Sequence, residues 1–178
     1  MDDTFVKLQK EKTRNLIIDL RGNGGGTPES SIYLLRYLVS KPFIYFPDVE
    51  PLRGGSNQEP FNNAFRGNTY FLIDGWGNST TGHFMAMVKE LSLGTILGEE
   101  LGSNQFCTAG QTIFKLKNTR LEFYSANNEN RVYVSSLKDE RGILPDHHIQ
   151  QNIHEYLNDI DVVKNYAIDL ISQQSNKQ

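Results

Sequence analysis

Serine becomes a nucleophile where its surroundings supply a positive potential and free N–H groups, and the N-terminus of a helix does both. Ser79 stands at such a place. Tyr70-Phe71-Leu72-Ile73-Asp74 reads as a buried strand, Gly75-Trp76-Gly77-Asn78 as a turn, and the residues after Ser79 as a helix. The same position also suits a plain N-cap, a role that serine fills often. A second stretch shifts the balance. Leu16-Ile17-Ile18-Asp19-Leu20-Arg21 opens as an apolar run that reads as a buried strand, and the next five residues, Gly22 to Gly26, hold four glycines. Such a run lets backbone N–H groups point into a cavity. Acyl transfer needs a hydroxyl from one junction and N–H donors from another at the same end of a parallel sheet. The glycines do not spell a dinucleotide fingerprint or a Walker loop.

Other candidate groups have simpler readings. His83 follows Ser79 by one helical turn and is a possible base, although such a histidine more often packs or faces solvent. Asp19 and Arg21 suit fixing the glycine loop, and Asp146 after Pro145 suits a turn. Cys107 with His147 or His148 as a thiol dyad lacks anything that would lower a thiol pKa. Asp146-His147-His148 as a metal site fails because adjacent residues point apart on a strand. No metal or other cofactor is expected.

The elements that must position these groups follow from pattern. Phe5 to Arg14 is a charged, helical lead-in. Thr27, Pro28 and Glu29 suit a helix start, and Ile32, Leu35 and Val39 give that helix an apolar face. Phe43 to Phe46 reads as a short strand. Pro47 to Thr69 reads as a long loop, bordering the cleft or poorly ordered, in which Phe61 and Phe65 pack. Phe84, Met87, Val88 and Leu91 continue the helix after Ser79 until Gly94. Thr95 to Gly98 is a third strand, followed by a polar loop from Glu99 to Gly110. Thr112–Lys117 and Arg120–Tyr124 alternate around Asn118-Thr119 as a β-hairpin. Arg131 to Ser135 is a further strand, Lys138 to His148 a loop, and a last helix starts near Asp161. Strands alternating with helices make the class α/β with a hairpin element.

At 178 residues, with 38% hydrophobic and 22% charged residues, one globular domain is expected over residues 1–178. A net charge of −3 argues against a nucleic-acid surface. No run of about 18 apolar residues stands in the sequence. The single cysteine excludes an internal disulfide. The opening Met1-Asp2-Asp3-Thr4 is unlike a secretory leader, and the glycine loop follows almost at once. That abrupt start suggests the C-terminal fragment of a longer protein.

Four segments resemble the C-terminal processing (tail-specific) serine peptidases. Leu16–Gly26 is similar to their Asp-Leu-Arg-x-Asn-x-Gly-Gly motif. Gly77–Phe84 lies where that family has its nucleophile segment. Leu97-Gly98-Glu99-Glu100-Leu101-Gly102 is similar to Val-Gly-Glu-x-Thr-x-Gly, and Gly142-Ile143-Leu144-Pro145-Asp146 to Gly-Val-x-Pro-Asp. The four come in the family's order. The resemblance implies a crotonase-like stack of β-β-α units and a serine endopeptidase core acting on polypeptides through an acyl-enzyme. It is nearest to secreted or lipoprotein members from Bacteroides-type bacteria, so it implies a periplasmic, envelope or secreted place. It makes Ser79 the nucleophile and the N–H groups of Thr80 and of Gly24 or Gly25 the oxyanion hole. Two departures matter. Many members use a Ser-Lys dyad, but Gly102-Ser103-Asn104-Gln105 offers no lysine. The tricorn-like branch uses an upstream histidine and an acid just before Gly-Val-x-Pro-Asp. Asp139 or Glu140 fits the acid, and no histidine precedes His83. The base is therefore expected in an upstream segment, with this chain alone inactive. The alternative is a non-catalytic module of the same fold that binds peptides or apolar ligands.

Overall fold

The computed structural model describes residues 1–47, 57–135, 137 and 140–175. Their order is α1 (Asp2–Lys10), β1 (Asn15–Asp19), α2 (Pro28–Arg36), β2 (Asn68–Ile73), α3 (Thr80–Glu90), β3 (Thr95–Gly98), β4 (Phe106–Lys115), β5 (Glu122–Arg131), β6 (His147–His148), α4 (Ile153–Leu157) and α5 (Val162–Ser175).

Four strands form a parallel sheet in the order β1-β2-β3-β6. β2 is central, and its side chains alternate between two cores. Phe71 and Ile73 join Ile32, Leu35, Phe84 and Met87 on the face covered by α2 and α3. Tyr70 and Leu72 join Leu97 with Val163 and Ala167 of α5 on the other face. Both faces are covered, which is why β2 is apolar at consecutive positions. β1 is an edge strand and only half-buried, not the fully buried strand its composition suggests.

Several sequence expectations change. Among the described residues Phe43–Phe46 pairs in no strand; it makes a single bridge from Phe43 to Gln58. Val132–Ser135 is no strand either, since β5 ends at Arg131 and Val132 turns into the core. Residues 106–110, expected as loop, are the first half of β4. The hairpin therefore runs ten residues on each side, pairing Phe106 with Arg131 and Lys115 with Glu122. Gly94 does not end α3 by a left-handed turn; Ser92 does, at φ 52°. Gly94 instead lets the chain cross β2, because a Cβ there would lie 2.2 Å from the Thr69 carbonyl oxygen. The loop expected from 47 to 69 is only partly described. Its residues Phe61 and Phe65 pack on the body, with Phe61 edge-on to Tyr33 at 5.1 Å and beneath the Arg36 guanidinium. None of residues 57–69 lines the cleft beside Ser79. The short helix α4, absent from the sequence reading, starts with a capping box between Asn152 and Glu155.

Candidate active site

Parallel pairing of β1 with β2 brings their C-terminal ends together, with Asp19 opposite Leu72. The glycine loop leaves β1 and the Ser79 turn leaves β2 at that same end. Polar bonds join the two turns. The Asp74 carboxylate accepts the Gly22 N–H at 3.0 Å and the Trp76 N–H at 3.1 Å. Asn78 N–H donates to the Asn23 carbonyl at 3.0 Å. The Thr81 hydroxyl bonds Asn23 Oδ1 at 2.8 Å, and the Thr80 hydroxyl donates to the Gly26 carbonyl at 2.7 Å.

Ser79 is the N-cap of α3 by position, but not by bonding. Its side chain makes no capping bond, and its backbone lies at φ 53°, ψ −126°. A non-glycine residue seldom occupies that region, which costs on the order of 1–3 kcal/mol and is found chiefly where a sharp turn aims a side chain. A strained strand-to-helix turn that presents a serine at the top of a sheet is the geometry of a nucleophile elbow. Ser79 is half-buried, and its own N–H donates to Asn78 Oδ1 at 2.7 Å.

Gly25 explains why the opposing loop is glycine. Its φ is +93°, and a Cβ there would come within 2.9 Å of Ser79 Cβ and of the Thr80 nitrogen. Among the described residues, neither Thr80 N–H nor Gly24 N–H meets a protein acceptor. Gly25 N–H donates to Asn23 Oδ1 at 2.9 Å.

Ser79 opens on a cleft of about 630 Å³, bordered also by Asn78, Ser103, Cys107, Glu140 and Arg141. The segment expected to carry a dyad lysine does border Ser79. A Cβ on Gly82 would meet Ser103 Oγ at 2.4 Å and the Asn104 carbonyl at 2.5 Å, so glycine allows this crossing. Ser103 Oγ donates to the Ser79 carbonyl at 3.3 Å. Glu140 lines the cleft and is exposed. Its neighbour Arg141 is held by Glu100, with Nη2 to Oε2 at 2.6 Å, and this partner lowers the Glu100 pKa. Asp139 lies outside the described residues.

Three side chains fall elsewhere. His83 is fully buried in the core and absent from the cleft. Its Nε2 lies 3.0 Å from the Asn130 carbonyl oxygen, which can only accept, so Nε2 carries the proton. Burial pushes its pKa down, opposed by that bond. It therefore packs, as the simpler reading of such a histidine expects. Asp146, expected to shape a turn, instead ties its segment to β3: its carboxylate accepts the Ile96 N–H and its N–H donates to the Ile96 carbonyl, both at 2.8 Å. His147 Nδ1 lies 3.1 Å from the Tyr166 hydroxyl. Among the described residues no group of three or more His, Cys, Asp or Glu side chains could hold a metal ion.

Cys107 was not expected here. β4 brings its thiol against Ser79, away from His147 and His148. Burial raises the thiol pKa, and the hydrogen bond with Ser79 opposes that rise. Nothing in the local sequence signals this contact, because it depends on how the hairpin folds back.

A model of the family described as Peptidase family S41 matches residues 1–149, across both turns and the cleft. The chain belongs to peptidase family S41. The family region thus spans the glycine loop, Ser79 and Glu140. A tail-specific protease of Haemophilus influenzae (strain ATCC 51907 / DSM 11121 / KW20 / Rd) is 25% identical over 96 residues, or 53% of this chain and 14% of that protein. Two solved structures share the fold. The photosystem II D1 C-terminal processing protease aligns with a TM-score of 0.59 at 20% identity, over 83% of this chain and 38% of that one. Mature CPAF aligns with a TM-score of 0.68 at 14% identity, over 96% and 47%. The chain therefore spans less than half the length of each of these three proteins.

Proposed function

We propose that this chain is the serine endopeptidase core of a longer S41 protein and that Ser79 is its nucleophile. The observation that carries the reading is the strained backbone of Ser79, held at the head of α3 against a glycine loop and open to a cleft. Ser79 Oγ attacks the peptide carbonyl. The developing oxyanion is met by the Thr80 N–H, which the helix start leaves without an intrahelical partner. Gly24 N–H is the donor from the opposite turn, while Gly25 provides the close approach and donates only if released from Asn23 Oδ1. Collapse of the tetrahedral intermediate expels the amine and leaves an acyl-serine, which water then hydrolyses.

A serine hydroxyl needs a base, and among the described residues no histidine or lysine lines this cleft. The base therefore comes from the part of the longer protein that lies upstream, with Glu140 or Asp139 as the acid that orients it. The four parallel strands with interleaved helices suit a crotonase-like core, and the family suits an envelope or secreted place. No helix among the described residues is long and apolar enough to cross a membrane. The substrate is a polypeptide in extended form. It lies along the edge of β4 that faces away from β5, where Cys107, Thr108 and Gln111 border the cleft.

The test compares this 178-residue chain with the complete protein on an unfolded polypeptide substrate. The complete protein cleaves it. The chain alone is slower by about three to four powers of ten, as in triads lacking a member. Equal rates would remove the upstream base. A complete protein that binds peptides or apolar ligands and never cleaves would favour a binding module.

A further inference from the structure

We propose that Asp161, at the head of α5, is a positioning residue that sets the glycine loop through Arg21. The proposal rests on the reading of that loop as the source of an oxyanion donor. Arg21 is the last residue before the glycines. Its guanidinium makes two parallel bonds to Asp161, Nη1 to Oδ1 at 2.7 Å and Nη2 to Oδ2 at 2.8 Å. It makes two more to Asp19, Nε to Oδ1 at 2.9 Å and Nη2 to Oδ2 at 2.6 Å. A bidentate pair fixes the plane of the guanidinium as well as its position. Two such pairs, from two directions, leave Arg21 one orientation.

Asp161 is itself held. Its Oδ1 accepts the Lys164 N–H at 3.0 Å, and its carbonyl accepts the Asn165 N–H at 3.0 Å. These bonds make it the cap of α5. That helix is seated on the sheet through Val163 and Ala167, against Tyr70, Leu72 and Leu97. It is also tied at its far end, where the Tyr70 hydroxyl donates to Gln174 Oε1 at 2.7 Å. A rigid helix on one face of the sheet thus reaches the exposed loop at the sheet's end.

The loop needs such a reference. Gly22, Gly25 and Gly26 all have positive φ, and residues 22–26 are exposed. Glycine there has the widest range of alternative conformations of any residue. The bonds from Asp74 and Thr81 hold the loop from the Ser79 side. Asp19 travels with Arg21 on the same strand end. Among the described residues, Asp161 is the side chain that fixes Arg21 from a separate element. It lies beyond residue 149, where the family match ends. The contact joins residues 140 apart in sequence.

The test uses the complete protein with Asp161→Asn, Asp161→Glu and Gln174→Ala. Asp161→Asn keeps the shape and loses the charge-assisted pair. It should lower kcat by about tenfold to a hundredfold, the scale of a small misplacement of a catalytic group, with KM changed less than about threefold. Asp161→Glu should recover part of that loss. Gln174→Ala loosens the far end of α5 and should leave kcat at the unsubstituted level. Amide exchange of residues 22–26, followed in the same variants, should quicken in Asp161→Asn alone. Unchanged kcat and exchange in Asp161→Asn would overturn the proposal. So would equal losses in Asp161→Asn and Gln174→Ala, which would make the contact part of helix docking only. If the unsubstituted protein cleaves nothing, the peptidase reading fails, and the exchange arm still decides whether Asp161 orders the loop.

Discussion

A methyl group built on Gly25 would stand 2.9 Å from Ser79 Cβ, closer than two carbon atoms can pack. The glycine loop and the serine turn are therefore a single fitted surface, made from two neighbouring strand ends. Gly25→Ala forces them apart and also meets the Asn78 carbonyl oxygen at 2.8 Å, at a φ of +93°. The expected outcome is a stability loss of about 1–3 kcal/mol and a fall in kcat of about a hundredfold or more, the scale of losing one oxyanion donor. Denaturant titration of the chain and steady-state rates of the complete protein measure the two. Full activity in Gly25→Ala would separate the loop from the chemistry.

Cys107 offers a chemical probe of the cleft. Its thiol lines the same cleft as Ser79, and burial holds its pKa above the ordinary value of 9.0. Alkylation needs the thiolate, so iodoacetamide should react slowly at pH 7 and faster as pH rises past 9. Once formed, the adduct fills the space beside Ser79 and should block turnover of the complete protein. Rapid labelling at pH 7 would mean that an upstream group ionises the thiol. Full turnover after labelling would mean that substrate approaches from another side.

The pH dependence of stability follows from His83. Its folded-state pKa lies below its ordinary value of 6.5, because burial disfavours the charged ring. The unfolded chain therefore takes up a proton that the folded chain refuses as pH falls below 6.5. Stability is fully present above 6.5 and declines as pH falls toward the folded value. Urea unfolding of the chain at pH 7.5 and pH 5.5 should show the loss. His83→Phe should flatten the curve in that window. A curve of unchanged slope in the variant would assign the dependence to other groups. Asp19 and Asp161, both held below the usual carboxylate range by Arg21, act lower still, with their contribution lost only as pH falls below 3.8.

The parts of this fold that the sequence makes legible are those fixed by local pattern. The unbroken apolar run Tyr70–Ile73, the glycines after Arg21 and the turn before Ser79 each constrain backbone directly. The hairpin shows itself by its tip, but its lower half does not, because residues 106–110 pair with 127–131 across a long separation. Phe43–Phe46 has strand composition, yet among the described residues it forms one bridge, to Gln58, and one further backbone bond, from the Tyr133 N–H to the Tyr45 carbonyl; composition cannot supply a ladder partner. The capping box at Asn152 and Glu155 was present in the sequence as a readable spacing. Two contacts at the site were beyond reading. Cys107 meets Ser79, and Asp161 meets Arg21, only through tertiary folding.

The account stands on Ser79 as the nucleophile. The direct measurement is active-site labelling of the complete protein with a fluorophosphonate, followed by mapping of the modified peptide. The account predicts one adduct, on Ser79, with loss of peptide cleavage in proportion to labelling. Ser79→Ala should abolish both while the protein stays folded, since the Ser79 side chain makes no capping bond that the substitution could remove. An adduct on a different serine, or cleavage that persists in a folded Ser79→Ala protein, would contradict it.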